Sequence, residues 1–226
     1  DRHCFTYWLR RQKMISATAM TGRQAVSASS VREDGDGIRS ALYGLLSHLF
    51  IAAPGPELLQ RIADSRDVIG ESAGELHDAW QALADTAAQA DAGAIRSEFD
   101  EAFVSTGRPP VSLYASSYMQ GRRKGHLLAE LRDDLVKLGY RRADEAVEYE
   151  DHISALCDVM RGLIIDDTAP DASFAAQQVF FHSYLAPWFA ALCAALDGAG
   201  QTSFYRSVSR FAAAFFANES EYFELA

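Results

Sequence analysis

The sequence predicts an all-α fold: a single helical-bundle domain, with two lobes joined by the loop at about 105–125 as the alternative arrangement. Three observations point there. From Gly37 onward, apolar residues recur at helical spacing in one segment after another. No segment alternates convincingly over strand length, and no hairpin signal sits between two such runs. Finally, 49% of the 226 residues are hydrophobic, enough for a sizeable core.

The elements follow in order. Ile38, Leu42, Leu45, Leu46 and Leu49 form the first stripe, and Pro54-Gly55-Pro56 ends that helix. Leu76, Trp80, Leu83 and Ala87 make the next, followed by Ile95, Phe99 and Phe103. Ser105 to about Gly125 is a long non-helical stretch, because Pro109-Pro110 stops a helix. Loops of that length in compact domains are often functional. Leu128, Leu131, Leu135 and Leu138 are closed by Gly139, and Ile153, Leu156, Cys157, Met160 and Ile164 follow. Phe181, Leu185, Trp188, Leu192 and Leu196 share a stripe that Pro187 should kink, and Phe204, Val208, Phe211 and Phe215 complete the set.

Residues 1–36 read as a flexible tail or an upstream extension before a start at Met14 or Met20. Residues 37–226 form the helical domain. Arg10-Arg11 precedes a weak apolar run, Met14 to Met20, which outlines a twin-arginine signal. The run is short and Arg23 soon interrupts it, so it is not read as a working export signal.

The net charge is −10, although residues 1–23 carry five basic residues against Asp1 alone. An acidic body excludes nucleic acid as the expected partner, since phosphate binding needs concentrated positive charge. No run approaches the ~20 apolar residues that cross a bilayer, so no membrane insertion is expected. Cys4, Cys157 and Cys193 lie far apart and form no paired motif, which favours a reducing, cytoplasmic setting.

Candidate chemistry is sparse. Glu148, Glu150, Asp151 and His152 are the densest titratable cluster, and Glu148 and His152 would share a helix face. A di-metal bundle needs Glu-x-x-His from two helices, but Tyr149 stands three before His152 and no second copy exists. Acidic residues near a helix start also interact favourably with its dipole. The six histidines fall in no recognisable motif with Ser or Cys. Gly121-Arg122-Arg123-Lys124-Gly125 lacks P-loop spacing and reads as a solvated basic turn. No enzyme and no cofactor are expected. A helical metal-binding enzyme centred on Glu148, Asp151 and His152, or a scaffold or regulatory bundle, stays open as an alternative.

Four blocks carry a family resemblance. Glu98-Phe99-Asp100-Glu101-Ala102-Phe103-Val104 runs into Gly107-Arg108-Pro109-Pro110-Val111. Tyr114-Ala115-Ser116-Ser117-Tyr118 fits Y-x-S-x-[YW], and Glu148-Tyr149-Glu150-Asp151-His152-Ile153 with Met160 fits E-P-x-D-H-[IL] plus a downstream Met. Gln177 to Phe181, ending in Leu185-Ala186-Pro187-Trp188, fits F-x-x-x-H-L-x-P-W. In this order the blocks resemble the TorD/DmsD family of redox-enzyme maturation chaperones, which includes the nitrate-reductase chaperones. Tyr149 replaces the usual proline, and Tyr184 stands where the family has His.

The resemblance implies a non-catalytic cytoplasmic chaperone. Its partners would be an apo molybdopterin oxidoreductase subunit and that subunit's twin-arginine leader, held until cofactor insertion so that export does not run early. The matching leader-contact positions are Phe103, Tyr114, Ser116, Tyr118, Asp151 and His152. The residues themselves add Glu148 as a carboxylate for arginine, and Pro187 with Trp188 as a kink bordering a groove. Monomer or helix-exchanged homodimer is left open.

Overall fold

A computed structural model describes residues 9–11, 28–104, 109–119, 124–144, 146–166, 170–199 and 203–225. Cys4, the Met14–Met20 run, residues 105–108 of the Gly-Pro loop and residues 120–123 of the basic turn lie outside the described residues.

The architecture is a helical bundle. Strand β1 (Leu9–Arg11) precedes helices α1 (Ala28–Ile51), α2 (Pro56–Asp64), α3 (Glu75–Ala88) and α4 (Ala92–Phe99). After α4 the chain widens into a π turn, Asp100–Val104, and later makes a 3-10 turn, Ala115–Ser117. Then come α5 (Lys124–Lys137), strand β2 (Tyr140–Arg142), α6 (Ile153–Ile164), α7 (Pro170–Tyr184), α8 (Phe189–Gly198) and α9 (Phe204–Leu225).

Local chemistry explains the boundaries. Pro56 opens α2 at a position whose N–H would have no helical partner. Asp91 caps α4, its side chain accepting from the Ala94 N–H at 2.8 Å. Gly139 turns the chain from α5 into β2 with φ 78°, a conformation costly for other residues. Helix α7 stops at Tyr184, three residues before Pro187, and α8 leaves at a bend of 48°. Among the described residues no single helix is long and apolar enough to cross a membrane.

The interior is built around α6, whose Ile153, Leu156, Cys157 and Met160 are fully buried. Helix α1 packs on one side of it and α7 on another, while α9 packs against α3 and α8. One continuous core runs from Leu42 of α1 to Phe223 of α9. The two-lobe option therefore gives way to a single bundle, because both sides of the 105–125 segment bury their apolar faces in the same interior.

Two expectations shift. The first stripe is wider than expected: Leu42, Leu46 and Leu49 are buried, Tyr43 and Phe50 join them, and Ile38 is 41% exposed. Tyr43 can turn inward because its hydroxyl donates to Glu219 at 2.9 Å. Within residues 1–36, α1 already begins at Ala28, and β1 pairs antiparallel with β2. A strand pairs through its main chain and needs no apolar stripe to be read from sequence.

A buried polar network ties α1, α7 and α9 together. Arg39 grips Glu219 with two donors, at 2.7 and 2.8 Å, and also donates to Asp36 and Gln177. Its guanidinium lies 4.3 Å from the Tyr222 ring centre.

Candidate binding cleft

The segment 109–119 is fastened to the start of α6 as a short antiparallel bridge. Tyr114 faces His152 in that bridge. The Ala115 N–H donates to the Asp151 carbonyl, and the Ile153 N–H donates to the Leu113 carbonyl, both at 2.9 Å. His152 caps α6, its Nδ1 accepting from the Ser154 N–H at 3.2 Å. At the other end, the Val111 N–H donates to Ala102 in the π turn.

Between this segment, the π turn and the end of α1 lies a cleft of about 280 Å³. Phe50, Phe99, Phe103 and Val104 form an apolar wall, and Tyr114, Ser117, Glu148 and His152 form the polar one. Phe103 is set by its neighbours, with ring centres 5.0 Å from both Phe99 and Tyr205. Val104 on the lip is 59% exposed, and Val147 and Tyr149 beside Glu148 are exposed as well.

The three acids of the Glu-Tyr-Glu-Asp run go three ways. Glu150 is buried and accepts two hydrogen bonds from Arg132, at 2.9 and 3.0 Å. Burial favours protonation of Glu150, but the Arg132 donors outweigh it and its pKa falls below the usual value. Asp151 is 0% exposed, and its Oδ2 accepts from the Ser116 N–H at 3.1 Å. Glu148 is half-buried on the cleft wall and accepts from the Tyr114 hydroxyl. Burial raises its pKa, and among the described residues no cation pairs with it. His152 is buried too, and desolvation pushes its pKa down to about 4.

The sequence-selected residues thus divide. Phe103, Tyr114, Glu148 and His152 line the cleft together. Ser116, Tyr118, Asp151 and Trp188 are not among its lining residues. Tyr118 stacks on Trp188 at 5.6 Å and donates to the Ser112 carbonyl at 2.8 Å. The Trp188 ring is buried and its Nε1–H donates to the Tyr184 carbonyl at 2.6 Å. Pro187 is exposed at the α7–α8 turn and does not line the cleft. Asp151, expected to face a groove, is buried: its Oδ2 accepts from a main-chain N–H, and its Oδ1 has no hydrogen-bond partner among the described residues. Trp188 stacks on Tyr118 and is not among the residues that line the cleft.

Sequence reasoning missed Phe50 and Ile51, which complete the apolar wall from α1. Their one signal was position, directly after Leu49 and before the Pro-Gly-Pro stop. Among the described residues no cluster of three His, Cys, Asp or Glu is placed to hold a metal ion.

The cleft's geometry can be set beside known families. A family model described as nitrate reductase delta subunit matches residues 70–194. The chain belongs to the nitrate reductase delta subunit family. All four sequence blocks and the polar cleft wall lie inside the stretch shared with that family, whereas Phe50, Ile51 and α9 lie outside it. No curated protein matches the sequence.

Proposed function

We infer that this protein is a chaperone that holds the twin-arginine leader and apo form of a molybdopterin oxidoreductase subunit in the cytoplasm, assisting cofactor insertion and delaying export. Membership of the delta-subunit family supports the general chaperone role. The observation that carries the finer reading is the cleft itself, which gathers Phe103, Tyr114, Glu148 and His152 from three separate sequence blocks.

The chemistry suits a leader. An arginine stem can lie along the apolar wall while its guanidinium reaches Glu148, a half-buried carboxylate held by a single neutral donor. A charge-assisted bond of that kind contributes ~1.5–3 kcal/mol, at the low end where water still screens it. The exposed Val104, Val147 and Tyr149 around the mouth offer apolar contact to the segment that follows the arginines.

The test is calorimetric titration of a synthetic peptide bearing an arginine pair and an apolar run. Glu148→Gln should weaken binding about tenfold and flatten its salt dependence, with the melting temperature unchanged. Replacing the peptide's arginines by lysines should also weaken binding to the unaltered protein, because lysine cannot match a carboxylate with a fork of donors. Equal affinity for Glu148→Gln and the unaltered protein would remove the cleft as the leader site.

A further inference from the structure

Among the described residues that line the cleft, Glu148 is the one carboxylate. An aromatic corner stands beside it. The Tyr114 hydroxyl donates to Glu148, and the Tyr114 ring meets His152 edge-on at 5.1 Å. That ring is fixed, because Tyr114 and His152 are paired in the bridge at the start of α6. Tyr149, next in the chain after Glu148, places its ring 6.4 Å from that of Tyr114, tilted by 60°. Its backbone is held too, since its carbonyl accepts from the His152 N–H at 3.1 Å. Its side chain nonetheless stays open, and the residue is 47% exposed. Arg132 lies near Tyr149 as well, but Glu150 holds its guanidinium at two points, 2.9 and 3.0 Å away. That pair therefore brings little net charge to the site. A carboxylate open to a partner's cation is thus flanked by one fixed ring and one half-open ring.

We propose that Tyr149 is a specificity residue for guanidinium: a partner's arginine bonds Glu148 through its edge and lays its flat face on the Tyr149 ring. The two contacts are compatible because a guanidinium is planar. Its N–H donors point outward in the plane, which leaves both faces free to stack. It is also weakly hydrated, so covering a face with a ring costs little. A lysine ammonium can reach the same carboxylate, but it is a compact, strongly hydrated charge with no face to lay on the ring. Attraction for a cation thus resides in Glu148, and part of the choice between cations resides in Tyr149. The arginine-bearing partner is that of the proposed function, on which this inference rests.

The experiment uses the full chain and the variants Tyr149→Leu, Tyr149→Phe and Glu148→Gln. The probes are the synthetic peptide bearing an arginine pair and an apolar run, and its counterpart with lysines. Leucine keeps apolar bulk but removes the ring, so Tyr149→Leu separates stacking from plain apolar contact. In that variant the ratio of arginine-peptide to lysine-peptide affinity should fall roughly threefold, the worth of a cation over an exposed ring. Lysine-peptide affinity should stay nearly unchanged, and Tyr149→Phe should keep the ratio. Proton magnetic resonance adds a direct signature of stacking. The δ-methylene protons of the bound arginine should move upfield in the unaltered protein and in Tyr149→Phe, and not in Tyr149→Leu. An unchanged ratio in Tyr149→Leu, or an upfield shift that survives it, would overturn the proposal while leaving Glu148 as the arginine site. Equal binding of the arginine peptide by Glu148→Gln and the unaltered protein would remove that site, and this use of Tyr149 with it.

Discussion

The Oδ2 atom of Asp151 accepts a hydrogen bond from the main-chain N–H of Ser116 at 3.1 Å, out of reach of solvent. One carboxylate oxygen thereby pins the 115–117 turn to the start of α6. Asp151→Ala should leave the Ser116 N–H without its acceptor and cost about 1–3 kcal/mol of stability. Chemical denaturation monitored by circular dichroism checks this. A loss near zero would show that the turn is held by the Ala115 and Ile153 main-chain bonds alone.

His152 makes stability depend on pH in a definite direction. Burial lowers its pKa to about 4 from 6.5, so it is neutral in both states at higher pH. As pH falls from 6.5 towards 4, the unfolded chain takes up a proton that the folded protein refuses, and stability drops by about 3 kcal/mol at most. Burial raises the carboxyl pKa values of Glu148 and Asp158, which works in the opposite sense as pH falls towards their ordinary values. His152→Asn keeps a capping acceptor but removes the titration. Its unfolding free energy should therefore lose less than that of the unaltered protein between pH 7 and 4.

Helix α9 has its first turn capped from far away. The Phe204 and Tyr205 N–H groups donate to the Glu98 carboxylate of α4, at 3.2 and 2.6 Å. Glu98→Ala should cost about 1–2 kcal/mol, and Glu98→Gln less, because the amide keeps an acceptor while losing the charge that favours a helix N-terminus. Urea midpoints for the two variants test the order.

Gly162 is required by the Tyr140 ring. Gly162→Ala should destabilise by about 1–3 kcal/mol, since a buried ring cannot retreat as a flexible chain end would. Adding Tyr140→Phe removes the worst contact, so a double-mutant cycle should show positive coupling between the two positions.

Much of this was legible in the sequence. The stripe Ile153, Leu156, Cys157, Met160 and Ile164 coincides with the buried face of α6, because a helix surrounded by others shows its period clearly. Pro187 marked the break between α7 and α8. The stripe Leu42, Leu46 and Leu49 marked the buried face of α1, but Tyr43 was not read as part of it because it carries a polar atom whose burial the distant Glu219 makes tolerable. The three acids before α6 look alike in sequence. Their fates are decided by Arg132, Ser116 and Tyr114, each supplied by another part of the fold. Phe50 reaches the cleft through the packing of α1 on α6, which no local pattern encodes.

The Arg39–Glu219 pair has a consequence for how the chain is made. Its partners are separated by 180 positions, so on the ribosome Arg39 emerges beside Asp36 but long before its buried carboxylate partner. The early helices can collapse around their own apolar faces, but a charge at the edge of that core stays open to water until α9 is synthesised. Completion of the bundle is thereby reserved for a late, long-range step, the kind of contact that slows folding. A nascent chain stalled before Glu219 should remain sensitive to protease in α1, a sensitivity that ends once translation resumes.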